Sequence, residues 1–194
     1  MARKPRLVID EGLYHIIQRG NDRRKVFRED SDYAYFYFLL RKYLSQYRSY
    51  LYHYCLMSNH LHLLLKVTEA QNLHKLMQGI NLSYTLYYKK KYRFTGSLWQ
   101  GRYKSIVIEK DEYLMECGRY IERNPVRARI VKHPKDYKFS SFNFYSYGEE
   151  SDIITNDVIY EGLSSVRTEK QKRYRNYVLE ERTYDHILDS ALKL

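Results

Sequence analysis

The stretch Met57-Ser58-Asn59-His60-Leu61-His62-Leu63-Leu64-Leu65 leaves few folds open to this chain. It reads as a buried strand carrying a histidine pair. Side chains alternate across a strand, so His60 and His62 project to one face and Leu61, Leu63 and Leu65 to the other. Residues 50–56 read as a second strand, and Ser58-Asn59 makes a tight connection, so the two form an antiparallel hairpin. Two imidazoles on a rigid strand can supply two ligands to one divalent metal. Taken alone, His-x-His is more often a pair of satisfied core histidines. The rest of the chain has to decide.

Before the hairpin, residues 13–19 read as a first strand, opened by Gly12 and closed by the turn cluster Gly20-Asn21-Asp22. Arg23, Arg24 and Lys25 follow on the loop, where they can hold phosphates or simply face solvent. Asp30 or Ser31 can cap a helix running to about Ser45. His53, on the second strand, reads as structural. A second long helix covers about residues 70–91, its buried face marked by Leu73, Leu76, Met77, Ile80 and Tyr84. It ends in three lysines, favourable at a helix C-terminus for dipole reasons alone.

A fourth strand emerges after Gly101, with Arg102 and Lys104 on one face and Tyr103 on the other. A third helix starts at Asp111, and Pro125 helps to stop it. The first six elements follow the split β-α-β order of ferredoxin-like sheets, with the first and third strands central. The expected fold is therefore α+β: a βαββαβ sheet, a following tyrosine-bearing helix and a helical C-terminal extension. Residues 137–142 read as a packed extension of the domain. The polar stretch 148–152 suggests a division into a domain at 1–147 and an extension at 148–194. Residues 169–194 read as one terminal helix.

A core of this size forms without staples, since 44% of the 194 residues are hydrophobic. The formal charge of +11 favours a polyanionic partner, most simply nucleic acid. Cys55 and Cys117 make no disulfide framework and point to a reducing compartment. No segment approaches the ~20 apolar residues of a spanning helix, and the basic N-terminus lacks the apolar stretch of a signal peptide. The expectation is a cytoplasmic, nucleoid-associated protein. The 23 tyrosines suit stacking on unpaired bases, and they make any one tyrosine a poor catalytic candidate by identity alone.

Position has to carry that argument. Tyr113, Tyr120 and Asn124 are spaced to share a face of the third helix, which can pack across the sheet near His60 and His62. Asn124 could add an oxygen ligand. Two imidazoles and an amide leave positions open for substrate, as a catalytic metal site requires. Tyrosine can attack phosphorus, but its free pKa of about 10 means it needs help losing a proton.

The His60-Leu61-His62 triplet resembles the His-hydrophobic-His pattern of the HUH endonucleases. Tyr120-Ile121-Glu122-Arg123-Asn124-Pro125-Val126-Arg127-Ala128 resembles the tyrosine helix of the single-tyrosine transposases, closest to the REP-associated tyrosine transposase group. Three further blocks agree: Tyr14-His15-Ile16 through Gly20-Asn21, Met57 through His62, and Trp99-Gln100-Gly101-Arg102-Tyr103-Lys104-Ser105. The resemblance spans about residues 13–145. It implies an enzyme that nicks hairpin-forming single-stranded DNA with magnesium or manganese and becomes linked to the 5′ phosphate. By motif position it implies His60 and His62 as metal ligands, Tyr120 as nucleophile and Asn124 as third ligand, with Tyr113 left to packing or support. Relatives often carry glycine in place of Arg129. The resemblance also favours a monomer over a dimer.

Arg19, Arg23, Arg24, Lys25, Arg102 and Lys104 would hold DNA phosphates and add salt-dependent affinity. Two other readings stay open. One is a domesticated palindrome-binding protein with little or no transposition activity. The other is a metal-dependent hydrolase that uses water as its nucleophile.

Overall fold

The computed structural model describes residues 8–109, 111–180 and 182. Its elements run β1 (Leu13–Arg19), α1 (Asp30–Gln46), β2 (Ser49–Met57), β3 (His60–Val67), α2 (Ala70–Tyr92), β4 (Lys104–Val107), α3 (Asp111–Arg127), α4 (Phe142–Tyr147), α5 (Val158–Gly162) and α6 (Arg167–Leu179). The sheet order is β2-β3-β1-β4, antiparallel throughout, as a split β-α-β arrangement requires. No helix among the described residues is long and apolar enough to cross a membrane.

Register divides the sheet into two chemically distinct faces. Tyr14 and Ile16 with Leu61, Leu63 and Leu65 turn to α1 and α2 and form the main core. That layer is locked by Asp32, fully buried, which accepts from Tyr87 and Lys91 of α2 at 2.9 and 2.7 Å. Lys91 is thus engaged in folding as well as lying at a helix end. Asp32 also accepts the Glu29 N–H at 3.2 Å, so Glu29 is the cap of α1, one residue before the expected position.

His15, Ile17, His60, His62, Cys55 and Met57 turn to the other face. There α3 packs Leu114, Cys117 and Ile121 on Cys55, Met57 and Leu64. Both cysteines are free thiols. The helix comes close because position 118 is glycine: a Cβ there would lie 2.9 Å from Nε2 of His53. Residues 137–141 cover the outer edge of β2, with the Leu56 N–H donating to the Phe139 carbonyl at 2.9 Å.

The segment after Gly148 packs back on the sheet and on α3. The Thr155 N–H donates to the Leu51 carbonyl at 2.9 Å, and α4, α5 and α6 close over Met115 of α3. The third helix is therefore sandwiched between the sheet and the C-terminal helices. Its junction is a buried polar cluster. His53 lies between Glu122 Oε1 at 3.0 Å and Asp157 Oδ2 at 3.2 Å, while Ser141 and Tyr174 donate to Glu122 at 2.6 and 2.8 Å.

Three boundaries differ from expectation. Pro125 does not stop α3, which runs on to Arg127. Packing on both sides outweighs the local preference of Asn124 against helix. The stop is a Schellman turn: the Ile130 N–H reaches the Pro125 carbonyl and the Arg129 N–H the Val126 carbonyl, both at 2.9 Å. Arg129 itself is left-handed, with φ of +56°, a conformation that favours glycine. The terminal helix α6 starts at Arg167 and ends at Leu179, because Glu180 turns extended. The expected continuation through Tyr184, Ile187, Leu188 and Leu192 lies outside the described residues.

Two stability predictions follow from these contacts. Arg129→Gly removes the left-handed strain and stabilises the fold by about 1 kcal/mol in a denaturant titration. Burial alone would lower the pKa of His53, but its bonds to Asp157 and Glu122 prevail and push it up to about 9. Its contribution is whole below its unfolded value of about 6.5 and is lost as pH rises through 9. Burial alone would raise the pKa of Asp157, but its hydrogen bond and attraction to His53, with backbone N–H bonds, hold it below its ordinary value, so it contributes until pH falls through that lowered pKa. The free energy of unfolding therefore drops between pH 7 and 10, by roughly 3 kcal/mol from His53, and this component is missing in His53→Gln.

Candidate active site

The site lies where α3 crosses the central strands. His60 and His62 project together from β3 onto the α3 face, as alternation dictates. Their ring centroids are 5.1 Å apart. Tyr120 comes down from α3, its ring centroid 5.7 Å from that of His62. The structure thus brings together the histidine pair and the tyrosine, 58 positions apart in the chain for His62 and Tyr120.

Two more side chains complete the cluster. His15 of β1 reaches His62 diagonally across the strand pair, with Nε2 3.0 Å from His62 Nδ1. Its ring meets Tyr120 edge-on at 5.8 Å between centroids. Arg127 lies over the Tyr120 ring, its guanidinium carbon 4.7 Å from the centroid. Neither residue was assigned a role from the sequence. A signal for His15 existed: it shares a strand face with Ile17 and Arg19, and a split β-α-β sheet sets that strand beside the histidine strand.

Electrostatics keeps the imidazoles neutral. Burial lowers His15 to about 3. Burial, and then the charge of Arg19, lowers His60 to about 4. Burial holds His62 well below its ordinary value, with His15, His60 and Arg127 adding to the effect. Neutral imidazole is the form that binds metal. Burial raises Tyr120 above the ordinary phenol value, an effect that Arg127 opposes, so at neutral pH the hydroxyl keeps its proton.

The two imidazoles have the chemistry of divalent-metal ligands. Nε2 of His62 is buried with no hydrogen-bond partner, and Nδ1 of His60 is engaged by Asn59 Oδ1 at 2.6 Å. Among the described residues no group of three or more His, Cys, Asp or Glu is placed to hold a metal. Asn124 sits one turn beyond Tyr120, with its Nδ2 donating to the Tyr120 carbonyl at 2.9 Å. That hydrogen bond occupies the amide nitrogen and leaves Oδ1 as the atom with donor capacity for a cation.

Of the six basic residues, Arg19 and Lys104 lie on the histidine face, since Arg19 pairs with His60 and Ile17 pairs with both His62 and Lys104. Arg19 Nε donates to Gln100 Oε1 at 2.8 Å, which ties the loop bearing Arg102 to the end of β1. Arg23, Arg24 and Lys25 are exposed on a turn that wraps the β2–β3 connection, where the Gly20 N–H donates to the Asn59 carbonyl at 2.8 Å. Arg24 stacks on Phe94, 4.2 Å from the ring centroid. Tyr113, expected to pack or to support, is 55% exposed.

Compared with known proteins, residues 9–124 match the sequence profile of the family described as Transposase IS200 like. That span holds His15, His60, His62, Tyr120 and Asn124. The fold is similar to the solved structure of a REP-associated tyrosine transposase bound to a REP hairpin. The TM-score is 0.64 at 19% identity, covering 81% of this chain and 93% of that one. A crystal structure from Deinococcus radiodurans R1, described as a transposase, is also 19% identical and covers 63% of this chain and 97% of its own, with a TM-score of 0.43. No curated protein matches the chain.

Proposed function

The chain belongs to the IS200-like transposase family, and we propose that it nicks and rejoins hairpin-forming single-stranded DNA through a covalent link between Tyr120 and a 5′ phosphate. The observation that carries this reading is the packing of Tyr120 against His62, whose buried Nε2 has no partner of its own. A packed core histidine pair would have no need of a tyrosine above it or of an unengaged ring nitrogen.

His60, His62 and Asn124 are the residues that would hold magnesium or manganese, and the ion would supply Lewis-acid polarisation of the scissile phosphate. The chain's own residues do the rest. Tyr120 is held by α3, by the His15 and His62 ring edges and by Arg127, so its hydroxyl needs little reorganisation to reach phosphorus. Its oxygen forms the new P–O bond as the bond to the 3′ oxygen breaks. The tyrosine proton ends on the departing oxygen, leaving a free 3′-OH and a 5′-phosphotyrosine. Attack by a 3′-OH on that phosphotyrosine reverses the step and rejoins the strand.

Arg19, Arg23, Arg24, Lys25, Arg102 and Lys104 hold phosphates on either side of the break. The net charge of +11 makes that affinity salt-dependent. The reading places the catalytic domain at residues 1–147, with 148–194 as an extension, in a monomer acting on DNA in the cytoplasm.

The test is a denaturing gel of 3′-labelled hairpin single strands incubated with protein and manganese. A labelled protein band is expected. It disappears in Tyr120→Phe and with chelator, and it survives in Tyr113→Phe. Asn124→Ala lowers the yield about tenfold or more. Cleavage with no labelled band would mean water is the nucleophile. Binding with no cleavage would leave a palindrome-binding protein.

A further inference from the structure

We propose that His15 is a positioning residue for the metal site: it fixes which nitrogen of His62 is open to the ion. The inference rests on the reading of His60 and His62 as ligands.

His15 pairs with Leu64 and His62 with Ile17, so the two histidines are diagonal neighbours on one face of the central strand pair. Both are fully buried. Their rings lie 5.2 Å apart at 24°, and among the described residues the only hydrogen bond of either ring is the one between His15 Nε2 and His62 Nδ1. Two proton placements satisfy that bond. In one, His62 Nδ1–H donates to His15 Nε2, and Nε2 of His62 keeps its lone pair. In the other, His62 carries its proton on Nε2 and has no lone pair there for a cation; each placement leaves one buried N–H without an acceptor among the described residues, on His15 Nδ1 in the first and on His62 Nε2 in the second. Only the first can bind metal.

His60 follows the same rule through a different partner. The Asn59 amide oxygen can only accept, so the 2.6 Å contact puts the His60 proton on Nδ1 and the lone pair on Nε2. With His15 as acceptor, both ligands are held through Nδ1 and present Nε2. An apolar residue at position 15 would leave the His62 Nδ1–H buried with no acceptor. The ring would then turn, or its proton would move to Nε2, and either change removes a ligand.

The test measures manganese binding to the full chain, from the signal of free Mn2+ in electron paramagnetic resonance, without DNA or turnover. His15→Leu is expected to bind 10–100-fold more weakly. His15→Gln, whose amide oxygen can accept the same N–H, is expected to recover most of the affinity, which a purely structural role would not predict. Wild-type affinity in a folded His15→Leu overturns the inference. Should that variant fail to fold, His15→Met against His15→Gln makes the same comparison, and equal affinities overturn it. Wild-type affinity in His62→Ala would overturn the ligand assignment itself, a result distinguishable from failure at position 15 alone.

Discussion

His53, buried between Glu122 and Asp157, ties three elements to one point. It comes from β2, Glu122 from the tyrosine helix, and Asp157 caps α5 by accepting the Tyr160 N–H at 2.8 Å. A single missing partner would leave an uncompensated charge in the interior, which is worth several kcal/mol. The junction therefore forms complete or not at all. Since Glu122 is two residues from Tyr120, the constraint that seats α3 on β2 also sets the height and rotation of Tyr120 over His62. Gly118 is the steric counterpart of that electrostatic constraint, because only glycine admits the His53 ring at this distance.

The outer side of α3 is held just as firmly. Arg123 donates to the Val178 carbonyl at 3.0 Å, and Arg119, almost fully buried, donates to the Glu180 carbonyl. Both acceptors lie at the end of α6, where helix carbonyls lack intrahelical partners and the dipole favours cations. Tyr174 brings α6 into the buried cluster itself. The C-terminal helices thus brace the tyrosine helix from behind, and the polar stretch at 148–152 leads into the helices that do so. Rigidity of this kind suits the in-line attack proposed for Tyr120, where a misplacement of about 1 Å would cost orders of magnitude in rate.

Much of this was legible in the sequence because it follows from period and order. Alternation placed His60 and His62 on one face and Leu61, Leu63 and Leu65 on the other, and the element order gave the sheet topology. What stayed hidden depends on contacts distant in sequence. His15 sits in a strand of ordinary pattern, and its role appears only when β1 and β3 are set in register. His53 read as structural, but its two carboxylates come from positions 122 and 157, which no spacing rule connects. The ends of α3 and α6 were misplaced for a related reason. Local signals at Pro125 and in the charged C-terminal run were weaker than the packing that extends one helix and the extended turn at Glu180 that ends the other.

The α3 face of the sheet finally shows how one residue type serves two ends. His53 pairs with Leu64 across the strands, and His62 is the next residue of β3 on that face, so the two are diagonal neighbours in fully buried surroundings. Yet His53 is pushed up to about 9 while His62 is held well below its ordinary value. Burial acts on both in the same direction, so it cannot be the difference. The difference is the partner: carboxylates flank His53, whereas His62 faces a neutral imidazole and the charge of Arg127. Paired with acids, a buried histidine becomes a cation that holds the helix in place. Paired with another histidine, it stays neutral and keeps a lone pair to offer. Stability and reactivity are thus separated across adjacent strands by the choice of hydrogen-bond partner alone.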